Sequence, residues 1–417
     1  MSRTSWLDSR AALALLGVLP QTLYASVSRK RIRAKADPED PRRSLYHAED
    51  VRQLAARRRG RRRDQRVAEQ AVAWGDAILA SGICTVERGR LWYRGRDVVP
   101  LAERSSLEEV AMLLWQSPPA AVRVARTSVP VSLAGDHTAL QSLYTVLGRM
   151  AGRDPPMYGR PPGPLQAEAV RLFGALCAAI LQALPGSRGS SPRRPRATAV
   201  RGSRAAAARA AALPIHLQLA EAWGRPAAAD LIRRALVLLA DHELNASTFA
   251  TRVAASTGAA LSASVLAGFA TLSGPLHGGA AAALQGLIHT ARSTGPDKAI
   301  LASLAGGRVV AGFGHRLYPL GDIRAAALLK QFEPSPIFLQ LSAAADNLIG
   351  EPPNIDFALT AMADSARLPA DAPFVLFALA RSVGWIAHAL EQSQAGALIR
   401  PRARYIGPDL EDSTHGS

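Results

Sequence analysis

The feature that most constrains this chain is the run from Val253 to Ile288, which contains no Asp, Glu, Lys or Arg. An uncharged run of that length has to be buried, in a bilayer or inside a large protein. Its composition decides against a membrane span. Ala, Ser, Thr and Gly dominate over Leu, Ile and Phe, and Gly274, Pro275, His277, Gly278 and Gly279 interrupt it where a span continues. Small residues at this density suit helices that approach one another closely. The run lies within Asp241–Ala280, a stretch that opens on a charged cluster and closes on a histidine set beside glycines.

At 417 residues the chain exceeds one ordinary domain, and 48% apolar residues with 5% aromatics point to an Ala-rich helical core. Helical periods fill the chain beyond Trp74. LEEVAMLLWQ, VRLFGALCAAILQAL, AADLIRRALVLLADHEL and APFVLFALARSVGWIAHALEQ each repeat apolar residues at three- and four-residue steps. The exception is SGICTVERGRLWYRGRDVV near Ser81, whose alternation and Gly punctuation predict a short β-hairpin. Cys84 and Cys177 lie far apart without metal-type spacing, so the reading is two reduced core thiols and no disulfide or zinc site.

The net charge of +17 is unevenly spread. Residues 1–70 carry 17 Lys/Arg against 8 Asp/Glu, and residues 185–204 carry six Arg and no acid, which leaves the body near neutral. Residues 1–58 read as a small helix-turn-helix unit: Ser9 caps a first helix that ends at Gly17, Pro20–Tyr24 opens a second, and Asp50 starts a third element. The segments LALLGVLPQTLYASVSR and DPRRSLYHAEDVRQL resemble the winged helix-turn-helix of MerR-type regulators. That resemblance implies a second helix in a DNA major groove and basic wing residues on phosphates. Residues 59–73, with RRRGRRRDQR at their start and just before, read as a basic linker, and residues 185–204 as a flexible Arg/Pro/Ser loop. The basic, apolar N-terminus imitates a signal peptide, but Asp8 and Arg10 interrupt it, and a cytoplasmic protein is expected.

From Trp74 to Pro408 the chain resembles the citrate synthase family. Five blocks carry the resemblance, in the family's order: the hairpin region near Ser81, the Asp241–Ala280 stretch, GFGHRLYPLGDIRA, PPNIDFAL, and ALARSVGWIAHALEQ with LIRPRARYIGP. The fold class it implies is mainly α, preceded here by the small winged helix-turn-helix domain. A large helical domain (74–273 and 361–417) would hold an inserted small helical domain (274–360) that closes over the site.

The resemblance also implies a catalytic set. His277 in SGPLHGGA would hydrogen-bond the thioester carbonyl and stabilise the enol(ate), with Gly278 and Gly279 allowing close approach of substrate and backbone. Asp356 in NIDF would remove the methyl proton, and His315 in GFGHR would hydrogen-bond the keto oxygen of oxaloacetate. His242 in ADHELN would hold a substrate oxygen, and Arg324 and Arg381 would bind carboxylates through their planar forks. Arg400 in LIRPR matches an arginine contributed by the neighbouring subunit, which implies a homodimer with shared sites. Singly, each residue has an ordinary reading as a core histidine, a surface arginine or, for Asp356, a helix cap. All seven falling in matching motifs is what overturns those readings.

These residue types suit the condensation of acetyl-CoA with oxaloacetate and water to citrate and CoA: carboxylate for the base, imidazole for the donor, guanidinium for the dicarboxylate. Acetyl-CoA is then a substrate, with no bound cofactor and no metal. No CoA-binding residue is assigned, because Arg316-Leu317-Tyr318-Pro319 follows His315 where basic side chains are expected. One alternative is 2-methylcitrate synthesis from propionyl-CoA, since one methylene changes discrimination by only ~1–3 kcal/mol. Another is a DNA-binding regulator with an enzyme-like sensor body, a reading that an intact base argues against.

Overall fold

The computed structural model describes residues 6–16, 23, 26–27, 32–38, 40, 44–52, 79–118, 138–184, 213–403 and 405–407. It divides into two units, Met1–Ala80 and Ser81–Ser417. The expected linker 59–73 and loop 185–204 lie outside the described residues, as do Gln21, Thr22, Tyr24, Arg42 and Arg43 of the expected recognition helix and wing.

In the first unit, β1 (Trp6–Leu7), β2 (Ala34–Ala36) and β3 (Ser44–His47) form an antiparallel sheet in the order β1-β3-β2, with Trp6 opposite His47 and Ala34 opposite Tyr46. Helix α1 (Ser9–Leu16) lays Ala12 and Leu16 into a small core with Leu23, Ile32, Tyr46 and Val51. The cap differs from the expectation. Asp8, not Ser9, precedes the helix, and its carboxylate accepts from the Ala11 amide at 2.7 Å. An anionic side chain at that position also complements the helix dipole, so the cap moves one residue upstream. The third element likewise begins early, with helical residues from 48 rather than at Asp50.

The second unit opens with β4 (Cys84–Glu87), β5 (Arg90–Tyr93) and β6 (Arg96–Asp97), an antiparallel meander. Its tight turns use Arg88-Gly89 and Arg94-Gly95, all four at positive φ, as two-residue hairpin loops require. Helices follow: α2 (Val98–Arg104), α3 (Leu107–Trp115), α4 (Ala139–Ala151), α5 (Pro162–Ala183), α6 (Ile215–Ala222), α7 (Ala229–Leu239), α8 (Ala246–Ser256) and α9 (Leu261–Leu272). Then come α10 (Ala280–Thr294), α11 (Pro296–Ala305), α12 (Ile323–Leu329), α13 (Pro336–Ile349), α14 (Ile355–Ser365) and α15 (Ala372–Ala395). Side-chain caps mark many of the starts, as with Ser106 and Glu109, which form a reciprocal capping box on α3.

Helix α15 runs through the main core against α3, α5, α7, α8 and α9. Trp385 on it is fully buried and meets Phe269 edge-on at 4.7 Å between ring centres. The uncharged run is explained here. A Cβ on Gly268 of α9 would lie 2.9 Å from Trp385 Cδ2 and closer still to Thr251 Oγ1, so only hydrogen fits at this crossing. Among the described residues two helices, α5 and α15, are long and apolar enough to cross a membrane, and both are buried largely against the rest of the body.

A second apolar cluster gathers Leu284, Leu287 and Ile288 of α10, Ile300 of α11, and Phe338 and Leu341 of α13. Helix α14 joins the two clusters. It gives Ile355, Ala358, Leu359 and Met362 to the main core, and Phe357 and Ala361 to the second. Asp356 therefore stands on a helix gripped from two sides, which fixes its carboxyl more firmly than a loop would.

Candidate active site

His242 lies in the loop after α7, and three long-range contacts hold that loop. The Tyr93 hydroxyl accepts from the Asp241 amide at 3.0 Å and lies 3.2 Å from the Val237 carbonyl at the end of α7 and 3.1 Å from the Asp241 carbonyl. His388 Nε2 meets the Asp241 carboxylate at 3.0 Å in the fully buried core. Glu243, at φ 51°, accepts from the Val86 amide and gives its own amide to Cys84 Sγ. The β-meander thus clamps the segment that carries His242.

The second histidine, His315, follows Gly314 in a turn where Gly312 and Gly314 both adopt positive φ. Its Nδ1 lies 3.1 Å from the Leu317 amide, which can only donate, so Nδ1 is the acceptor and the ring proton sits on Nε2. The His242 and His315 rings meet edge to face at 5.1 Å. Tyr318 packs beside both, with ring centres 5.6 and 5.0 Å away. Burial, then the charge of Arg324, brings His315 down to about 4. Burial together with Arg324, Arg381 and His315 holds His242 far below the usual imidazole range. Both rings are neutral near pH 7.

Arg324 is buried and paired with Asp322, which accepts from its Nε at 3.0 Å and its Nη2 at 2.8 Å. Asp322 also caps α12 through the Arg324 amide, and its second oxygen accepts from the Ile355 amide at the start of α14. One carboxylate therefore ties the arginine to the helix of Asp356. Arg381, also buried, donates from Nε to the Leu239 carbonyl at 3.0 Å and lies over the Phe377 ring at 4.8 Å.

His277 sits in the turn between α9 and α10, with Nε2 2.8 Å from Ser247 Oγ. Ser247 Oγ also donates to Asn245 Oδ1 and accepts from Trp385 Nε1. Burial, then Arg381, lowers His277 to about 4. The glycines beside it are required by the fold itself. A Cβ on Gly278 would collide with the Leu272 carbonyl and one on Gly279 with the Pro275 carbonyl, so it is the chain's own turn that demands them.

Asp356 is not a helix cap. Asn354 takes that role, its Oδ1 accepting from the amides of Asp356 and Phe357, and the Asp356 carboxylate makes no hydrogen bond among the described residues. It faces a small apolar pocket shared with His277, Leu272, Ala281, Leu359, Phe374 and Phe377. Burial raises its pKa, with Arg324 and Arg381 opposing and Asp322 assisting. A carboxylate held this way is a stronger base than one in water.

Six of the seven residues singled out from sequence thus converge: His242, His315 and Arg324 in one cluster, His277 and Asp356 across one pocket, and Arg381 close enough to act electrostatically on both His277 and Asp356. Arg400 does not join them; it is exposed on the C-terminal segment and makes no hydrogen bond or ion pair among the described residues. Tyr318, Asp322 and Ser247 were missed. Asp322 had a legible signal, a helix-cap aspartate two residues before an arginine, whereas the partners of Tyr318 and Ser247 are 76 and 30 residues away. No cluster of three or more metal-ligating side chains occurs among the described residues.

A mainly helical body thus sets a neutral histidine and a carboxylate across one pocket, and brings two buried arginines close enough to act on them, with two further neutral histidines clustered at Arg324. A family profile described as "Citrate synthase, C-terminal domain" matches residues 72–402, and the chain belongs to the citrate synthase family. Among curated relatives, the citrate synthase of Haloferax volcanii is 39% identical over 198 residues, 45% of this chain and 52% of that protein. The 2-methylcitrate synthase 2 of Corynebacterium glutamicum is 29% identical over 359 residues, 78% of this chain and 91% of the relative. The chain spans about half the length of the curated relatives it matches at highest identity. Among solved structures, the citrate synthase of Thermotoga maritima superimposes with a TM-score of 0.66 at 26% identity, covering 82% of this chain and 97% of that one.

Proposed function

We propose that the chain condenses acetyl-CoA with oxaloacetate to citrate and CoA. The observation that carries this reading is the pocket shared by His277 and the unpartnered Asp356 carboxylate, beside the His242, His315 and Arg324 cluster. Asp356 takes a proton from the thioester methyl group while His277 donates a hydrogen bond to the carbonyl oxygen, giving an enol(ate). Ser247 decides whether His277 can do so: its single hydroxyl proton, directed at Asn245 Oδ1 in this structure, has to turn to His277 Nε2 for the ring proton to lie on Nδ1 and be available to the thioester. The enol(ate) carbon attacks the keto carbon of oxaloacetate, and His315 donates its Nε2 proton to the developing alkoxide. Arg324 and Arg381 hold the carboxylates, and water then cleaves the thioester to release CoA and citrate. Arg400 would complete the site from the second subunit of a cytoplasmic homodimer.

The test is thiol release from purified protein with acetyl-CoA, with and without oxaloacetate. Release is expected only with both substrates, and Asp356→Ala should lower it by about 10²- to 10⁴-fold, the usual contribution of a general base. Unchanged turnover in that variant removes Asp356 from the mechanism. Propionyl-CoA belongs in the same assay, because the Corynebacterium relative that matches over most of the chain is a 2-methylcitrate synthase. A higher kcat/KM for propionyl-CoA would transfer the reading to 2-methylcitrate formation.

The surplus of basic residues in 1–70 supports DNA binding as an added role of the first unit. Affinity should fall steeply with salt, and a sequence preference should persist where non-specific binding is gone. Salt dependence without preference would mean electrostatic attachment alone.

A further inference from the structure

We infer that Tyr318 is a positioning residue: its hydroxyl donates to His242 Nε2 and so fixes the His242 ring proton on Nδ1, the nitrogen left to meet a carbonyl or carboxylate oxygen of the keto acid. Which ligand oxygen is met rests on the proposed condensation; the tautomer itself does not.

The geometry leaves one consistent assignment. Tyr318 is 1% exposed, and its Oη lies 3.0 Å from His242 Nε2. Among the described residues that is its only hydrogen bond. Were His242 to carry its proton on Nε2, it would donate to the phenol oxygen, and the phenolic hydrogen would be buried without an acceptor, a cost absent from the opposite assignment. Burial also drives the Tyr318 hydroxyl well above its ordinary pKa, which keeps the proton available for donation.

The ring cannot turn away easily. His315 lies against it at 5.0 Å, and the Arg324 guanidinium stands 5.3 Å from its centre. The backbone is tied as well: the Tyr318 amide donates to the His315 carbonyl and the Gly321 amide to the Tyr318 carbonyl, each at 2.9 Å. The same turn places Leu317, whose amide sets the His315 tautomer. Residues 315–318 therefore make both neutral imidazoles into donors of known nitrogen, His315 through Nε2 and His242 through Nδ1. A histidine free to exchange tautomers would present a lone pair to the substrate part of the time.

The experiment is nitrogen NMR on the full chain labelled with ¹⁵N-histidine, with the His242 signals assigned by their loss in His242→Gln. Wild-type protein should show His242 protonated on Nδ1. Tyr318→Phe, which keeps the ring and removes only the hydroxyl, should convert those signals to a mixture of tautomers. Oxaloacetate affinity by calorimetry should fall about 2- to 10-fold, the worth of one neutral hydrogen bond. A wild-type His242 protonated on Nε2, or a Tyr318→Phe protein with the tautomer unchanged, overturns the inference. Absence of condensation and of oxaloacetate binding in wild-type protein would instead sink the proposed function, and the nitrogen shifts would still decide the role of Tyr318.

Discussion

Replacing Asp322 by Ala probes how much of the site depends on one buried carboxylate. Asp322 is 3% exposed and accepts from four N–H groups: the amide, Nε and Nη2 of Arg324, and the amide of Ile355. Burial alone would raise its pKa, but the charge and hydrogen bonds of Arg324 outweigh that and hold it below the ordinary value. Deleting it leaves a guanidinium with 2% exposure and no carboxylate partner. Breaking a buried pair from one side costs ~3–5 kcal/mol, and the orphaned Ile355 amide pulls towards the upper end. Set against a total stability on the order of 5–15 kcal/mol, that is a large fraction. The assay is equilibrium unfolding in urea, where the midpoint should fall with the slope unchanged. Removing both charges is the control, because Asp322→Ala with Arg324→Met leaves no buried charge unpaired, only the two backbone amides that Asp322 accepted from, and should recover much of the loss. A cost under about 1 kcal/mol for the single change, or a double variant no more stable than the single, refutes the view that Asp322 exists to neutralise Arg324.

Two further outcomes are expected. His277 and His315 are lowered to about 4 by burial, so the folded state favours neutral rings that in the unfolded chain titrate near 6.5. Their stabilisation is complete above pH 6.5 and is lost as pH falls from there towards 4; urea midpoints at pH 7.5 and 5 should show the loss, and His315→Gln should reduce it. A wild-type midpoint that is flat or rises on acidification contradicts the assignment. For the shared site, mixing inactive Arg400→Ala and Asp356→Ala proteins under subunit exchange should restore partial activity, since one site of a mixed dimer keeps both groups. No recovery with exchange proven would confine each site to a single chain.

What the sequence by itself determined is whatever depends on neighbours a few residues apart. Three- and four-residue apolar steps lay out α3, α5, α7 and α15, and Arg-Gly pairs mark the hairpin turns between β4, β5 and β6. The motifs around His277, His315 and Asp356 were legible too, as a family resemblance carried in each case by a few neighbouring residues. The local reading slipped where two candidates competed, with Asp8 taking the cap of α1 in place of Ser9. Only the tertiary structure decided protonation and charge. Tyr318 reaches His242 across 76 residues, Asp322 reaches Ile355 across 33, and Ser247 reaches His277 across 30. Helical periodicity says which face of a helix is buried, but a proton's position on a ring depends on the one donor or acceptor within about 3 Å of it. That partner exists only once the helices have packed.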